Sequence, residues 1–264
     1  MGDSGQVISS AAEVYDEFFL PALFAAWPSE LISAAQIEAG MRVVDVGCGT
    51  GVLAIEAARV VGRGGSVVGV DLNSGMLEIA RRKAPEIDWR EAPAEALPFD
   101  LHQFDAVVSQ FGLMFFRDRI AAIREMWRVL RPGGWLAIAV WDSLENTPGY
   151  AAVTQILSRL FGDEVADLLK APYALGDIET LRGQFLDAGL SKPAVSRIFG
   201  EANFPSIRSW MHTDVRGWTL ADKLDDEQFE HLVEEAESEL SSLVSASGDV
   251  RFDHPALIAT LQKP

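Results

Sequence analysis

Cysteine is all but missing from this chain: Cys48 stands alone among 264 residues, which excludes a disulfide within the molecule. Positive charge is scarce as well. Lys and Arg total 22 against 39 Asp and Glu, a formal net charge of −17, so the chain lacks the basic footprint that nucleic acid or an anionic membrane surface requires. Much of the acidic excess lies in the run Asp222–Glu239. No apolar stretch is long enough to span a bilayer. The N-terminus has no basic segment followed by an apolar run, so it does not read as a signal peptide. Repeats, low-complexity tracts, a Walker-type loop with its lysine, and His, Cys and Asp groupings at metal-ligand spacing are all missing. The expectation is a soluble, cytoplasmic protein without a metal, one that neither inserts into a membrane nor binds nucleic acid.

What is present centres on residues 43–54. Val43, Val44, Asp45 and Val46 run directly into Gly47, Cys48, Gly49, Thr50 and Gly51, and apolar positions resume at helical spacing with Leu53, Ala54, Ala57 and Ala58. Valine before the glycines and alanine after them is the pattern of a buried parallel strand, a tight turn and a helix. Glycines let a ligand approach the backbone, and the helix start offers it unpaired N–H groups. A dinucleotide fingerprint would place its third glycine three residues after the second. Here the glycines follow at intervals of two, with Asp45 inside the strand end.

The flanking segments support an α/β reading. Residues 7–35 are patterned as helices, with breaks at Pro21 and Pro28 and an aromatic stripe of Tyr15, Phe18, Phe19, Phe24 and Trp27. After the first helix a second strand, 66–70, ends at Asp71, twenty residues beyond Gly51. That is the distance at which a doubly wound fold sets a carboxylate against ribose hydroxyls. Asn73 and Ser74 are the better helix caps. Further strands are expected at 87–91, 104–109 and 135–141, the last after the helix 120–130 and the turn Arg131-Pro132-Gly133-Gly134. Beyond Asp142 the pattern loosens: helices at 149–170 and 178–188, a strand over 194–204, helices over 207–244 and a last strand over 250–261 with an irregularity at Pro255.

The run from Asp45 through Gly47, Gly49 and Gly51 resembles the first motif of the class I S-adenosylmethionine-dependent methyltransferases. Gly69-Val70-Asp71-Leu72-Asn73-Ser74-Gly75-Met76-Leu77 looks like their second motif, and Leu130-Arg131-Pro132-Gly133-Gly134-Trp135-Leu136 like their third. Within the family the likeness is to the small-molecule branch that contains the ubiquinone/menaquinone-biosynthesis type. It implies a Rossmann-like, doubly wound, seven-stranded, mostly parallel sheet in a single domain over 1–264. Residues 1–40 would form an N-terminal helical cover, 41–146 the cofactor-binding core, and 147–264 the substrate cover with the last strands. S-Adenosylmethionine would be the cofactor and S-adenosylhomocysteine the product, with in-line methyl transfer to a small acceptor and no metal. Residues carried over as cofactor contacts are Tyr15, Asp45, Gly47, Cys48, Gly49, Gly51, Asp71, Leu72, Met76, Ala94, Glu95, Gln110 and Phe111. Pro93 departs from the family: many relatives have an aspartate there that binds the adenine amino group, an acceptor proline does not supply.

Tryptophans in the expected cover, Trp210 and Trp218, suggest an apolar or ring-bearing acceptor. His212, among them, is the first candidate for a general base because histidine titrates near neutrality. Tyr150, just past the fifth strand, is the second. Two other readings stand beside this one: a nicotinamide-dependent Rossmann oxidoreductase, and a protein that binds S-adenosylmethionine without turnover. The oligomeric state is not set by the sequence.

Overall fold

Val43, Val44 and Val46 are completely buried, as a strand covered on both faces demands. They lie in β1 (Arg42–Val46), which pairs in parallel with β2 (Ser66–Asp71) on one side and β4 (Phe104–Gln110) on the other. With β3 (Asp88–Glu91), β5 (Leu130–Trp141), β6 (Ala194–Ile198) and β9 (Ala256–Gln262) the sheet has seven strands in the order β3-β2-β1-β4-β5-β9-β6. Strands β1 to β5 run parallel, and β9 is antiparallel to both its neighbours. The expected Rossmann-like, mostly parallel sheet is thus found. The computed structural model describes residues 9–216, 220 and 223–264. No helix among them is long and apolar enough to cross a membrane.

Strand order reverses at β1, whose two neighbours are β2 and β4, and a doubly wound sheet opens its crevice at that point, beyond the carboxyl ends of the strands. The crossovers are α3 (Val52–Val61), α4 (Ser74–Lys83) and α5 (Arg119–Val129). Asn73 caps α4 as expected, its side chain accepting from the Met76 N–H at 3.2 Å. Two glycines answer to a neighbour in the fold. A Cβ on Gly51 would come within 2.5 Å of the Trp89 indole, and one on Gly69 within 2.3 Å. Trp89 is 7% exposed, and its N–H donates to the Ala84 carbonyl at 2.8 Å. The indole therefore lies across β2 and under the turn, and both glycines make room for it.

At the N-terminus, α1 (Ser9–Val14) leads into a π-helical segment, Tyr15–Phe24, and then α2 (Pro28–Ala34). Pro28 begins α2, where its missing N–H costs nothing. Pro21 lies inside the π-helical segment; it has no N–H for the ladder, and a widened turn is one way a helix absorbs that loss. Lys83 Nζ pairs with Asp16 Oδ1 at 2.7 Å, and Ala12 packs with Met76 and Ile79, fastening this end to α4.

The C-terminal third differs from expectation in one respect. The two long strands expected there are each broken. Residues 194–204 divide into β6 and β7 (Glu201–Phe204), and residues 250–262 into β8 (Val250–Asp253) and β9. The inner halves stay in the main sheet, while β7 and β8 form a separate antiparallel ribbon. The breaks coincide at Gly200 and His254-Pro255. Pro255 cannot donate to a ladder, a Cβ on Gly200 would strike the Trp27 indole at 2.4 Å, and His254 N–H spans the gap to the Gly200 carbonyl at 2.8 Å. Between the ribbon strands lie α9 (Ile207–Arg216) and α10 (Asp226–Glu239). Preceding β6 are α6 (Pro148–Phe161), α7 (Asp163–Lys170) and α8 (Ile178–Asp187). Helix α9 packs on the π-helical segment and β7, and α10 on α9 and α6. Trp218 lies outside the described residues.

Candidate functional site

Hydrogen-bond satisfaction marks the site. Among the described residues, eight buried side-chain polar atoms have no partner, and five of them cluster: Asp45 Oδ1 and Oδ2, Thr50 Oγ1, Ser109 Oγ and Gln110 Oε1. They belong to β1, the glycine turn that follows it, and the end of β4. Buried polar groups in folded proteins are almost always bonded, so a concentration of bare ones calls for partners from outside the chain, a ligand or ordered water.

Asp45 is 1% exposed. Burial, with Asp71 nearby, pushes its carboxyl up to about 8, and the Ala54 N–H opposes the rise without reaching bonding geometry. Asp71, at the end of β2, holds the turn itself: Oδ2 accepts from the Gly49 N–H at 2.8 Å and Oδ1 from the Asn73 N–H at 2.8 Å. Burial raises its carboxyl above the ordinary range while these backbone donors hold it down. Each oxygen keeps a lone pair for another donor. The next backbone amides secure the turn from below, with Gly47 and Cys48 N–H both donating to the Val70 carbonyl. Burial and Asp71 push the Cys48 thiol up, so it stays protonated.

Of the three turn glycines, Gly49 has the open side. A Cβ there would meet nothing nearer than the Tyr15 ring, at 3.9 Å. Tyr15 thus lies over the turn, its phenol pushed up by burial and by Asp71. Gln110 donates from Nε2 to the Phe24 carbonyl at 3.1 Å, leaving Oε1 bare. Phe111 takes a left-handed φ of 58°, and its ring stacks on Trp141 at a 3.7 Å centroid distance. A bulky residue in that region is strained, and such strain collects at functional sites. Phe24 and Trp27 lie 5.5 and 5.6 Å from the Phe111 ring, so β4 and β5 end in an aromatic wall.

The other sequence-derived contacts lie around this centre. Leu72 is 44% exposed just past β2, and Met76 is buried beside Tyr15. Ala94 is buried after β3. Glu95 Oε1 accepts from the Asp118 N–H at 3.1 Å, which ties it to the start of α5.

The expected general bases fare differently. Residues Ile207, Trp210, Met211, Asp214 and Val215 form the buried stripe of α9, and His212 falls off it into solvent, between the rings of Phe18 and Phe229. His212 is thus exposed beside Phe18 and Phe229 and is not part of that buried stripe. Tyr150 is 2% exposed, and its hydroxyl donates to Asp214 Oδ1 at 3.2 Å. Beside it, Tyr173 Oη and His254 Nε2 are 3.0 Å apart. Asp214, Tyr173 and His254 escape a reading by motif. Asp214 shows only as the acid on an apolar helical stripe, and His254 as a neighbour of Pro255. Among the described residues no group of three or more His, Cys, Asp or Glu could hold a metal.

A family model described as a methyltransferase domain matches residues 43–134. The chain is 31% identical over 222 residues to the ubiquinone/menaquinone biosynthesis C-methyltransferase UbiE of Edwardsiella ictaluri, covering 75% of this chain and 87% of that one. Among solved structures it resembles YcgJ of Bacillus subtilis (TM-score 0.61, 18% identity, 90% and 99% of the two chains). It also resembles phosphoethanolamine N-methyltransferase 2 of Haemonchus contortus (TM-score 0.62, 19% identity, 97% and 57%). The chain belongs to the class I S-adenosylmethionine-dependent methyltransferases.

Proposed function

We propose that this chain moves a methyl group from S-adenosylmethionine to a small, apolar, ring-bearing acceptor, with the cofactor held at the glycine turn. The observation that carries the reading is the Asp45 carboxyl, buried with both oxygens bare at the end of β1. The residues fit the group. Asp45 and Gln110 Oε1 present acceptors to an ammonium, Asp71 to a ribose diol, and Gly47, Cys48 and Gly49 bring backbone close to it. Gly51 supports the turn from the Trp89 side. Tyr15, Leu72, Met76, Ala94, Glu95 and Phe111 form the surround.

When bound, the cofactor supplies a methyl on a positively charged sulfur, already activated toward a nucleophile. The chain's own work is then to align the acceptor and exclude water. Phe24, Trp27, Phe111 and Trp141 pack ring against ring where β4 and β5 end, and would form the apolar backing of the place where that happens. Relatives named as C-methyltransferases favour carbon as the methylated atom. The full-length protein, given methyl-labelled S-adenosylmethionine, should label hydrophobic ring compounds extractable into solvent. Transfer confined to polar acceptors such as phosphoethanolamine would overturn the acceptor class.

Asp71→Ala should weaken S-adenosylhomocysteine binding by about 1–3 kcal/mol in calorimetry. It should also lower the melting temperature, because Gly49 and Asn73 N–H lose their acceptor. Unchanged affinity would remove Asp71 from the cofactor's contacts.

A further inference from the structure

The bare polar atoms at the glycine turn are closed off from solvent: Asp45 and Thr50 are each 1% exposed, and Ser109 is fully buried. A cofactor cannot reach them while every element stays where it is, so one of them must move aside. The parallel strands and their crossover helices form the core and are not free to do so. Over the turn lies the π-helical segment, with Tyr15 above Gly49 and with Phe19 and Phe24 buried. Its backbone is suited to bending. The Ala25 N–H donates to the Leu20 carbonyl five residues back, at 2.9 Å, and Pro21 donates nothing.

The two ends of the segment are held differently. At Phe24 the hold is deep: Gln110 Nε2 donates to the Phe24 carbonyl at 3.1 Å, the Trp27 indole donates to the Leu23 carbonyl at 2.8 Å, and both rings are buried. At Tyr15 it is shallow. Asp16 Oδ1 meets Lys83 Nζ at the end of α4 at 2.7 Å, the two side chains 27% and 32% exposed. Glu13 and Arg82, 3.4 Å apart, form a second pair on the outside, and Ala12 packs on Met76 and Ile79. On the side away from α4, a cleft of about 360 Å³ separates Phe18, Pro21 and Ala22 from Phe204, Pro205 and Ser209 of the cover. The segment therefore has room to swing off α4 while Phe24 stays anchored.

We propose that the π-helical segment is the cofactor's gate and that the Asp16–Lys83 ion pair is the latch that sets how fast it opens. This rests on the placement of the cofactor at the glycine turn given above, and it adds the route in and the residues that control it. Water screens a half-buried pair less than an exposed one, so Asp16–Lys83 carries the hold and Glu13–Arg82 adds little. The latch is made whether the site is empty or full. It has no differential interaction with the two states, so it changes the rates of entry and release by the same factor and leaves the affinity alone.

The test measures both rates for S-adenosylhomocysteine on the whole protein at low salt. Entry is followed by stopped-flow tryptophan fluorescence, and release by diluting the tritiated complex into excess unlabelled compound. Lys83→Met keeps an apolar stem without the charge. It should speed entry and release about three- to fivefold each, with Kd within about twofold of wild type. Sodium chloride at about 0.5 M should speed both rates of the wild type in the same way and add nothing in the variant. Asp16→Lys/Lys83→Asp, which remakes the pair in reverse, should recover most of the wild-type slowness. Unchanged rates in Lys83→Met would overturn the latch and leave the cofactor reading standing. Faster release with unchanged entry would also overturn it, because Lys83 would then support the bound cofactor rather than the gate. A wild type that does not bind S-adenosylhomocysteine at all would overturn the proposed function, and the latch with it.

Discussion

Asp45→Asn should make the protein more stable at pH 8 and less able to bind its cofactor. In the folded chain the carboxyl is held at about 8, against about 3.8 when exposed. Between those values the folded state keeps a proton that the unfolded state has released. Stability therefore falls as pH rises from about 4 through about 8, by up to about 1.4 kcal/mol for each pH unit. Asparagine has the same shape and no proton to lose. The variant should match the wild type near pH 4 and exceed it by several kcal/mol at pH 8, a rise of roughly 5 °C or more in melting temperature. Over the same range its S-adenosylhomocysteine affinity should fall by about tenfold or more, as the loss of a charge-assisted hydrogen bond predicts. Asp214, also raised to about 8 by burial, adds a similar slope that the substitution leaves in place. A stable group kept at a loss is what a binding site looks like without its ligand. Equal melting temperatures for variant and wild type at pH 8 would show that Asp45 is satisfied in a way the structure does not contain.

Gly51→Ala should damage the fold more than any single change within the turn. Gly51 has a φ of 88°, where a side chain costs about 1–2 kcal/mol. The added methyl would also meet the rigid Trp89 indole at 2.5 Å, an overpacking worth about 1–3 kcal/mol. Together these predict a loss of about 2–5 kcal/mol in denaturant titration. Gly51→Ala/Trp89→Leu relieves the collision but not the backbone strain. Relative to Trp89→Leu alone, the alanine should then cost only the strain, about 1–2 kcal/mol. An additive double variant would mean that the indole does not press on the turn.

How much of this could be read from the sequence depends on the range over which each residue acts. Residues 41–141 punctuate themselves: valine runs for strands, glycines at 47, 49 and 51 for the turn, Asn73 at the start of α4, and Pro132-Gly133-Gly134 before the body of β5. These are local effects of backbone geometry, and the structure follows them closely. The purpose of Gly51 was not legible, because its partner Trp89 is 38 residues away on another strand. The division of the last strands hangs on the contact of Gly200 with Trp27, again far apart in the chain. For α9 the signal was present but outweighed. Histidine's ordinary titration range drew attention to His212, whereas the spacing Ile207, Trp210, Met211, Asp214, Val215 selects Asp214 as the acid on the buried face. Tyr173 and His254 meet across 81 residues, and nothing local announces the pair.

The central claim is that the bare oxygens at the ends of β1 and β4 mark the cofactor's place. Calorimetric titration of the purified, folded protein with S-adenosylhomocysteine, run at pH 6 and pH 8, tests it most directly. The account predicts micromolar or tighter binding that strengthens toward pH 8, with proton release as Asp45 ionises. No binding at either pH, or binding untouched by Asp45→Asn, would contradict it.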